Sequence, residues 1–248
     1  MVVKFRKASY AEVVGYWISY EYNDRPDFRD YIDGRFSEKD VKYITAVHDY
    51  TNRIANARRL LMLQSYRRFI AWFKHADWWV VLLSKEDVSK LLVIHSPHWD
   101  LLSDGTVRAL DIAEGIEKKR WKKVDGNKLL LQEPAELEHV RSVAHDEGKK
   151  ILKNLKKKVR SKNPTRIVVI GAEGGKELTV IDGVHRSVRL CLYHLVRGKG
   201  EEKSFSQEAY LGLMPNPLRR TTKEWESLRD FFERERAETG VLAETPTH

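Results

Sequence analysis

The chain has 248 residues, 42% apolar and 33% charged, which excludes a disordered polymer and allows one large domain or two small ones. A single cysteine, Cys191, excludes an internal disulfide framework and a multi-cysteine metal cluster, and no apolar run has the length of a membrane span. With 45 Lys and Arg against 36 Asp and Glu, the net charge of +9 favours polyanionic partners: nucleic acid, nucleotides or phosphorylated substrates.

No membrane partner is expected. The first residues lack the apolar core of a signal peptide, so the expectation is a soluble, cytoplasmic protein. Residues 1–35 are rich in aromatics and acids, with Pro26 and Gly34 as breakers, and carry no clear period. A helical tract follows. Ser37 and Asp40 have capping-box spacing, and Val41, Ile44, Val47, Ile54, Leu61 and Phe69 recur near helical spacing to about residue 75. Arg53, Arg58, Arg59, Arg67 and Arg68 lie on this tract among aromatics. They suit either single-stranded nucleic acid or an amphipathic helix with an aromatic core, and the second reading is preferred.

"WWVVLLSKEDVSKLLVIHS" predicts strands over 78–83 and 91–95 around a connector starting at Ser84. Short strands are expected near 106–111 and 128–131, with turns at Ser103-Asp104-Gly105 and Asp125-Gly126. His95, His98 and Asp100 sit together in "HSPHWD" but fit no standard zinc spacing, and polar surface is the favoured reading. Pro134 opens a helix to about residue 160. Leu137, Val140, Ala144, Ile151, Leu152, Leu155 and Val159 mark its buried face, and Lys149, Lys150, Lys153, Lys156, Lys157 and Lys158 the other. That lysine run could track a nucleic-acid backbone or be a solvated face.

"RIVVI" and "ELTVI" predict a hairpin across "GAEGGK", and the second strand delivers the chain to Asp182. Beyond Gly198 a charged loop leads to "MPNPLRR", where Pro215, Pro217, Arg219 and Arg220 suit a stiff lid. Thr221 and Glu224 cap a last helix with Trp225, Leu228, Phe231 and Phe232.

The chemistry concentrates in "DGVHRSVR". Val188, Cys191, Leu192 and Leu195 follow i, i+3, i+4, i+7, so a helix with a defined buried face begins near His185. Cys191 lies on that face as a small buried hydrophobe. His185, Arg186 and Arg189 then occupy the first turns, where positive side chains oppose the helix dipole. An anion bound there would reverse the sign of that cost, with backbone N–H groups and an arginine fork converging on one phosphate. Gly183 would admit a close backbone approach, and Gly183, Val184, His185, Arg186, Ser187 and Arg189 are the candidate phosphate-binding residues. Asp182 could orient His185 or Arg186, or hold a metal. The alternative is a polar turn tied down by an Asp–Arg pair.

The order helix, strand, Gly-rich turn, strand, Asp-Gly-x-His-Arg, helix resembles the ParB/sulfiredoxin-like superfamily over about residues 134–198, and loosely over 80–133. The resemblance implies an α+β fold, a small mixed sheet with helices over 78–215. Residues 1–75 and 205–248 match nothing in it, and the residue patterns alone add a mainly helical N-terminal region over 1–77 and a C-terminal helix and tail over 216–248. Sulfiredoxins carry a cysteine before the His-Arg pair; Val184 stands here, which argues against sulfinic-acid chemistry. No helix-turn-helix segment is visible after residue 198, which argues against a DNA-partition role. "DGVHR" is similar to the box of the free-serine kinases and nearly as similar to "DGQHR" proteins of DNA-modification systems.

The kinase-like resemblance implies a nucleotide-dependent phosphotransferase with ATP or ADP and Mg2+, acting on a small hydroxyl-bearing substrate. Asp182 and His185 would be catalytic, with Asp182 the metal ligand. A further carboxylate to orient the hydroxyl would come from Asp146, Glu147, Glu133, Glu21 or Asp24, and Glu147 is the one chosen. The rival expectation is a nucleic-acid-binding or nuclease-like protein using its basic helices. A third is a relic whose box only stabilises the turn.

Overall fold

The computed structural model describes residues 2–24, 26–34, 37, 38, 41, 76–94, 96–122, 134–158, 166–172, 174–199 and 205–214. The chain forms two compact units, Met1–Arg6 with Trp79–Gly212 and Lys7–Trp78 with Leu213–His248. The expected helical tract over 41–75 lies outside the described residues except for Val41. So do the strand at 128–131, the Pro215–Arg220 lid and the last helix.

In chain order the described elements begin with β1 (Val3–Lys7), α1 (Tyr10–Asp24), α2 (Pro26–Asp33) and β2 (Asp77–Leu83). The middle of the chain supplies α3 (Lys85–Ser89), β3 (Leu92–Val93), α4 (Pro97–Ser103) and α5 (Ala109–Glu117). Then come α6 (Pro134–Lys158), β4 (Ile167–Ala172), β5 (Leu178–Asp182), α7 (Val184–Leu190) and β6 (Gln207–Met214). The fold is α+β with one six-stranded mixed sheet in the order β1-β2-β6-β4-β5-β3.

The predicted hairpin is β4 and β5, antiparallel, with Val169 opposite Val180 and Gly171 opposite Leu178. Its β-branched residues Ile167, Val168, Val169, Val180 and Ile181 are all buried, which is what a pleated surface with side chains packed upon it favours. On the other side of β5, the two-residue β3 runs parallel, pairing Leu92 with Thr179 and Val93 with Val180. The "LLVIH" strand is therefore shorter than the expected 91–95.

Two expectations are corrected. The strand near 106–111 is instead the start of α5: Ala109, Ile112, Ala113 and Ile116 follow helical spacing and are fully buried, while extended pairing is confined to one bridge between Arg108 and Leu92. The charged loop expected before "MPNPLRR" contains β6. Gln207, Ala209, Tyr210, Leu211 and Gly212 are buried because β6 lies between β2 and β4 inside the sheet. A strand covered on both faces shows no apolar–polar alternation.

On the long helix α6, Val140, Ala144, Ile151 and Leu155 of the expected face are buried and Leu137 and Leu152 half-buried, while Lys149, Lys150 and Lys153 are exposed. Val159 and the side chains of Lys156, Lys157 and Lys158 lie outside the described residues. The connector at Ser84 begins α3 with a complete capping box: the Ser84 hydroxyl accepts from the Asp87 N–H at 3.1 Å, and Asp87 accepts from the Ser84 N–H at 2.9 Å. Ser84→Ala should lower the unfolding free energy by about 1 kcal/mol, measured as a lower urea midpoint. An unshifted midpoint would mean that the box contributes nothing to stability.

In the other unit, α1 buries Val13, Val14, Trp17 and Ile18, and α2 buries Phe28 and Ile32. Ser9 caps α1 by accepting from the Glu12 N–H at 3.1 Å. Buried Glu21 accepts from the Trp17 indole N–H at 3.2 Å, a structural use of that carboxylate. No described helix is long and apolar enough to cross a membrane.

Candidate functional site

β5 ends at Asp182, and the chain enters α7 through Gly183, which caps the helix in the left-handed region at φ 88° and ψ 23°. Only a residue without a Cβ fits comfortably: a Cβ at Gly183 would lie 2.6 Å from Ile167 Cγ2. The Gly183 carbonyl accepts from the Ser187 N–H at 2.9 Å and from its hydroxyl at 3.1 Å, closing the first turn. Val188, Cys191 and Leu192 are buried as their spacing predicts, and Leu195 is half-buried. The final stretch, Cys191–Val196, widens into a π-turn. Burial pushes the Cys191 thiol up to about 12, and it contacts the Val88 carbonyl at 3.6 Å, so it is packing rather than a nucleophile.

The box residues divide into two groups. Gly183, Val184 and His185 are half-exposed, whereas Arg186, Ser187 and Arg189 are buried. Arg186 donates inward to the Arg166 carbonyl at 2.6 Å, fastening α7 to the start of β4. Arg166 itself donates to Glu208 at 2.9 Å and to the Tyr210 hydroxyl at 2.7 Å, extending that network to β6. Arg186 therefore supports the turn from within, and Arg189 is buried on the same helix.

His185 faces Glu147, 38 residues earlier on α6, and its Nε2 pairs with the Glu147 Oε2. The side chains are 42% and 25% exposed, so the pair is open on one side. The hydrogen bond from His185 holds the Glu147 carboxyl below the usual carboxylate range. The charges of His185, Lys150 and His98 assist, against the opposing effect of burial. A carboxylate can hold an imidazole in one orientation by pairing with one of its ring nitrogens, here Nε2.

Of the other carboxylates considered, Asp146 is exposed and lies 3.3 Å from His145 Nδ1, and Glu21 belongs to the other unit. Glu133 and the side chain of Asp24 lie outside the described residues.

α4 contributes two residues that sequence reasoning left on the surface or unused. Trp99 is buried, and its ring meets the His185 ring edge-on at 5.7 Å. His98 is half-buried and packs on the same indole at 4.6 Å. Burial pushes the His98 imidazole below its ordinary range. The His185 charge adds to this, and Glu147 and Asp100 oppose it. The available signal was Ser96-Pro97, a helix start that places His98 and Trp99 in a first turn.

Asp182 is half-buried at the end of β5. Among the described residues no group of three or more His, Cys, Asp or Glu side chains is gathered to hold a metal ion, so Asp182 acquires no co-ligands from them. In comparisons with protein-family models, curated proteins and solved structures, nothing matches this chain. What fold and site define together is an α+β protein with a carboxylate–imidazole pair beside a strand-to-helix turn.

Proposed function

We propose that this protein is a nucleotide-dependent phosphotransferase of ParB/sulfiredoxin type, acting on a small hydroxyl-bearing substrate. The observation that carries the reading is the pairing of Glu147 with His185 inside the Asp-Gly-x-His-Arg box. Phosphoryl transfer asks little covalent chemistry of a protein: it needs the phosphates held and the attacking hydroxyl oriented. His185 Nδ1 accepts the hydroxyl proton, and Glu147 keeps the ring in the required tautomer. Gly183, Val184 and His185 form the open side of the phosphate site, with Arg186, Ser187 and Arg189 beneath. Lys150, whose charge already acts on Glu147, adds a cation on the solvent side. Among the described residues no set of His, Cys, Asp or Glu donors is gathered for magnesium.

The exposed Lys149, Lys150 and Lys153 favour one second reading, nucleic-acid binding along α6. A thermal-shift scan of wild type and His185→Ala against ATP, ADP, CTP and AMP, with and without magnesium, separates the two. The expected result is stabilisation of the wild type alone, by roughly 5 °C or more at about 100-fold above Kd. No shift with any nucleotide, together with DNA or RNA binding that collapses as salt rises, would replace the phosphotransferase by the nucleic-acid reading.

A further inference from the structure

We infer that His98 is a second working imidazole of this centre, donating a hydrogen bond to the transferred phosphoryl group while His185 takes the proton. The inference rests on the phosphotransferase reading and adds a residue to it. Three observations lead to it. His98 and His185 pack against the same buried indole, Trp99, at 4.6 and 5.7 Å, so two elements far apart in sequence bring both rings to one place. His98 lies within the electrostatic reach of both Glu147 and His185, with Asp100 the other charge acting on it.

The third concerns Ser96. It occupies the N-cap of α4, where a serine hydroxyl ordinarily accepts from the helix, yet it makes no capping hydrogen bond. Its Oγ lies instead 3.2 Å from His98 Nδ1 and 3.3 Å from Nε2. The hydroxyl is thus within reach of either ring nitrogen; in the proposed tautomer it donates to Nδ1 and the ring proton sits on Nε2, where a ligand would compete with Ser96 for it.

The two imidazoles then have different tasks. Burial shifts the His98 imidazole below its ordinary range and so favours the uncharged ring, which suits a hydrogen-bond donor. In the transfer, the substrate hydroxyl oxygen bonds to the terminal phosphorus of the nucleotide and the bridging P–O bond breaks. The electron pair departs on the bridging oxygen of the leaving nucleotide, and the hydroxyl proton moves to His185 Nδ1. His98 Nε2–H meets a non-bridging oxygen of the phosphoryl group throughout. A neutral donor there avoids competing with His185 for the proton.

The test is a pH titration of the histidine Cε1–H resonances by NMR, with and without inorganic pyrophosphate, assigned with His98→Gln and His185→Gln. In the free protein His98 should titrate below an ordinary histidine. Pyrophosphate should move both resonances, and His98→Gln should weaken its binding about ten-fold. If pyrophosphate moves His185 and leaves His98 untouched, or if His98→Gln binds it as wild type does, this inference falls while the phosphate site at the box stands. If neither resonance moves, both fall. Thermal unfolding of His98→Gln guards against mistaking lost structure for lost binding.

Discussion

Glu147→Gln should lower turnover in phosphoryl transfer by roughly 10²- to 10⁴-fold with little change in nucleotide affinity. The carboxylate does not face the nucleotide in the proposed arrangement; it acts through His185, whose Nε2 it engages. Glutamine keeps the size and offers an oxygen, but it brings an amide donor and no charge. The imidazole then loses both its fixed tautomer and the negative field that stabilises it once protonated. Two readouts separate this role from mere packing. The ¹⁵N shifts of His185 should report an Nε2–H tautomer in wild type and a mixture in the variant. Wild-type turnover by Glu147→Gln would sink the assignment of His185 as an oriented base.

The same substitution makes a statement about pH and stability. His185 holds the Glu147 carboxyl below the usual carboxylate range, so the folded protein binds that proton less readily than the unfolded chain. The stabilisation is therefore present above the ordinary carboxylate range and is lost as pH falls through the lowered value. Wild type should exceed Glu147→Gln in thermal stability near neutral pH, and the two should converge in acid. A difference that stays constant with pH would locate the effect in packing rather than in the charge of the pair.

The contrast between Glu147 and Gly183 explains how much of this site was legible in the sequence. The turn from β5 into α7 is local: an apolar strand, Asp-Gly and an i, i+3, i+4, i+7 face all lie within eighteen residues, and their order alone fixes the geometry. The Glu147–His185 contact depends on α6 lying beside α7, which no period within either helix encodes, so five carboxylates competed for one role. His98 failed for a related reason, since two histidines in a short polar stretch look like surface until Trp99 beside them is seen to be buried. The burial of Arg186 and Arg189 was not legible either: their positions at a helix start suggest an open fork, whereas both are buried and Arg186 donates to the Arg166 carbonyl. Among the strands, β4 and β5 announced themselves through β-branched runs, whereas β6 was hidden by being covered on both faces.

Gly183→Ala should be the most costly small substitution at the site. Two penalties coincide there. An alanine held at φ 88° carries left-handed strain of about 1–2 kcal/mol. Its Cβ would also stand 2.6 Å from Ile167 Cγ2, 3.1 Å from Ile167 Cβ and 3.4 Å from Ile167 Cα. Ile167 is fully buried in β4 and cannot swing away, so overpacking adds about 1–3 kcal/mol. Together they amount to roughly 2–5 kcal/mol, a large share of the ~5–15 kcal/mol that holds a typical domain folded. Gly174 supplies the control. It has φ 74° with nothing within 4 Å of a built Cβ, so Gly174→Ala carries the strain alone and should cost only about 1–2 kcal/mol. Urea unfolding of both variants separates clash from strain by difference. If Gly183→Ala survives by shifting the start of α7, His185 moves away from Glu147, and the Nε2–H tautomer signal disappears along with nucleotide stabilisation. Equal costs for the two glycines, with that signal intact, would show that Ile167 yields and that the turn does not hold His185 in place.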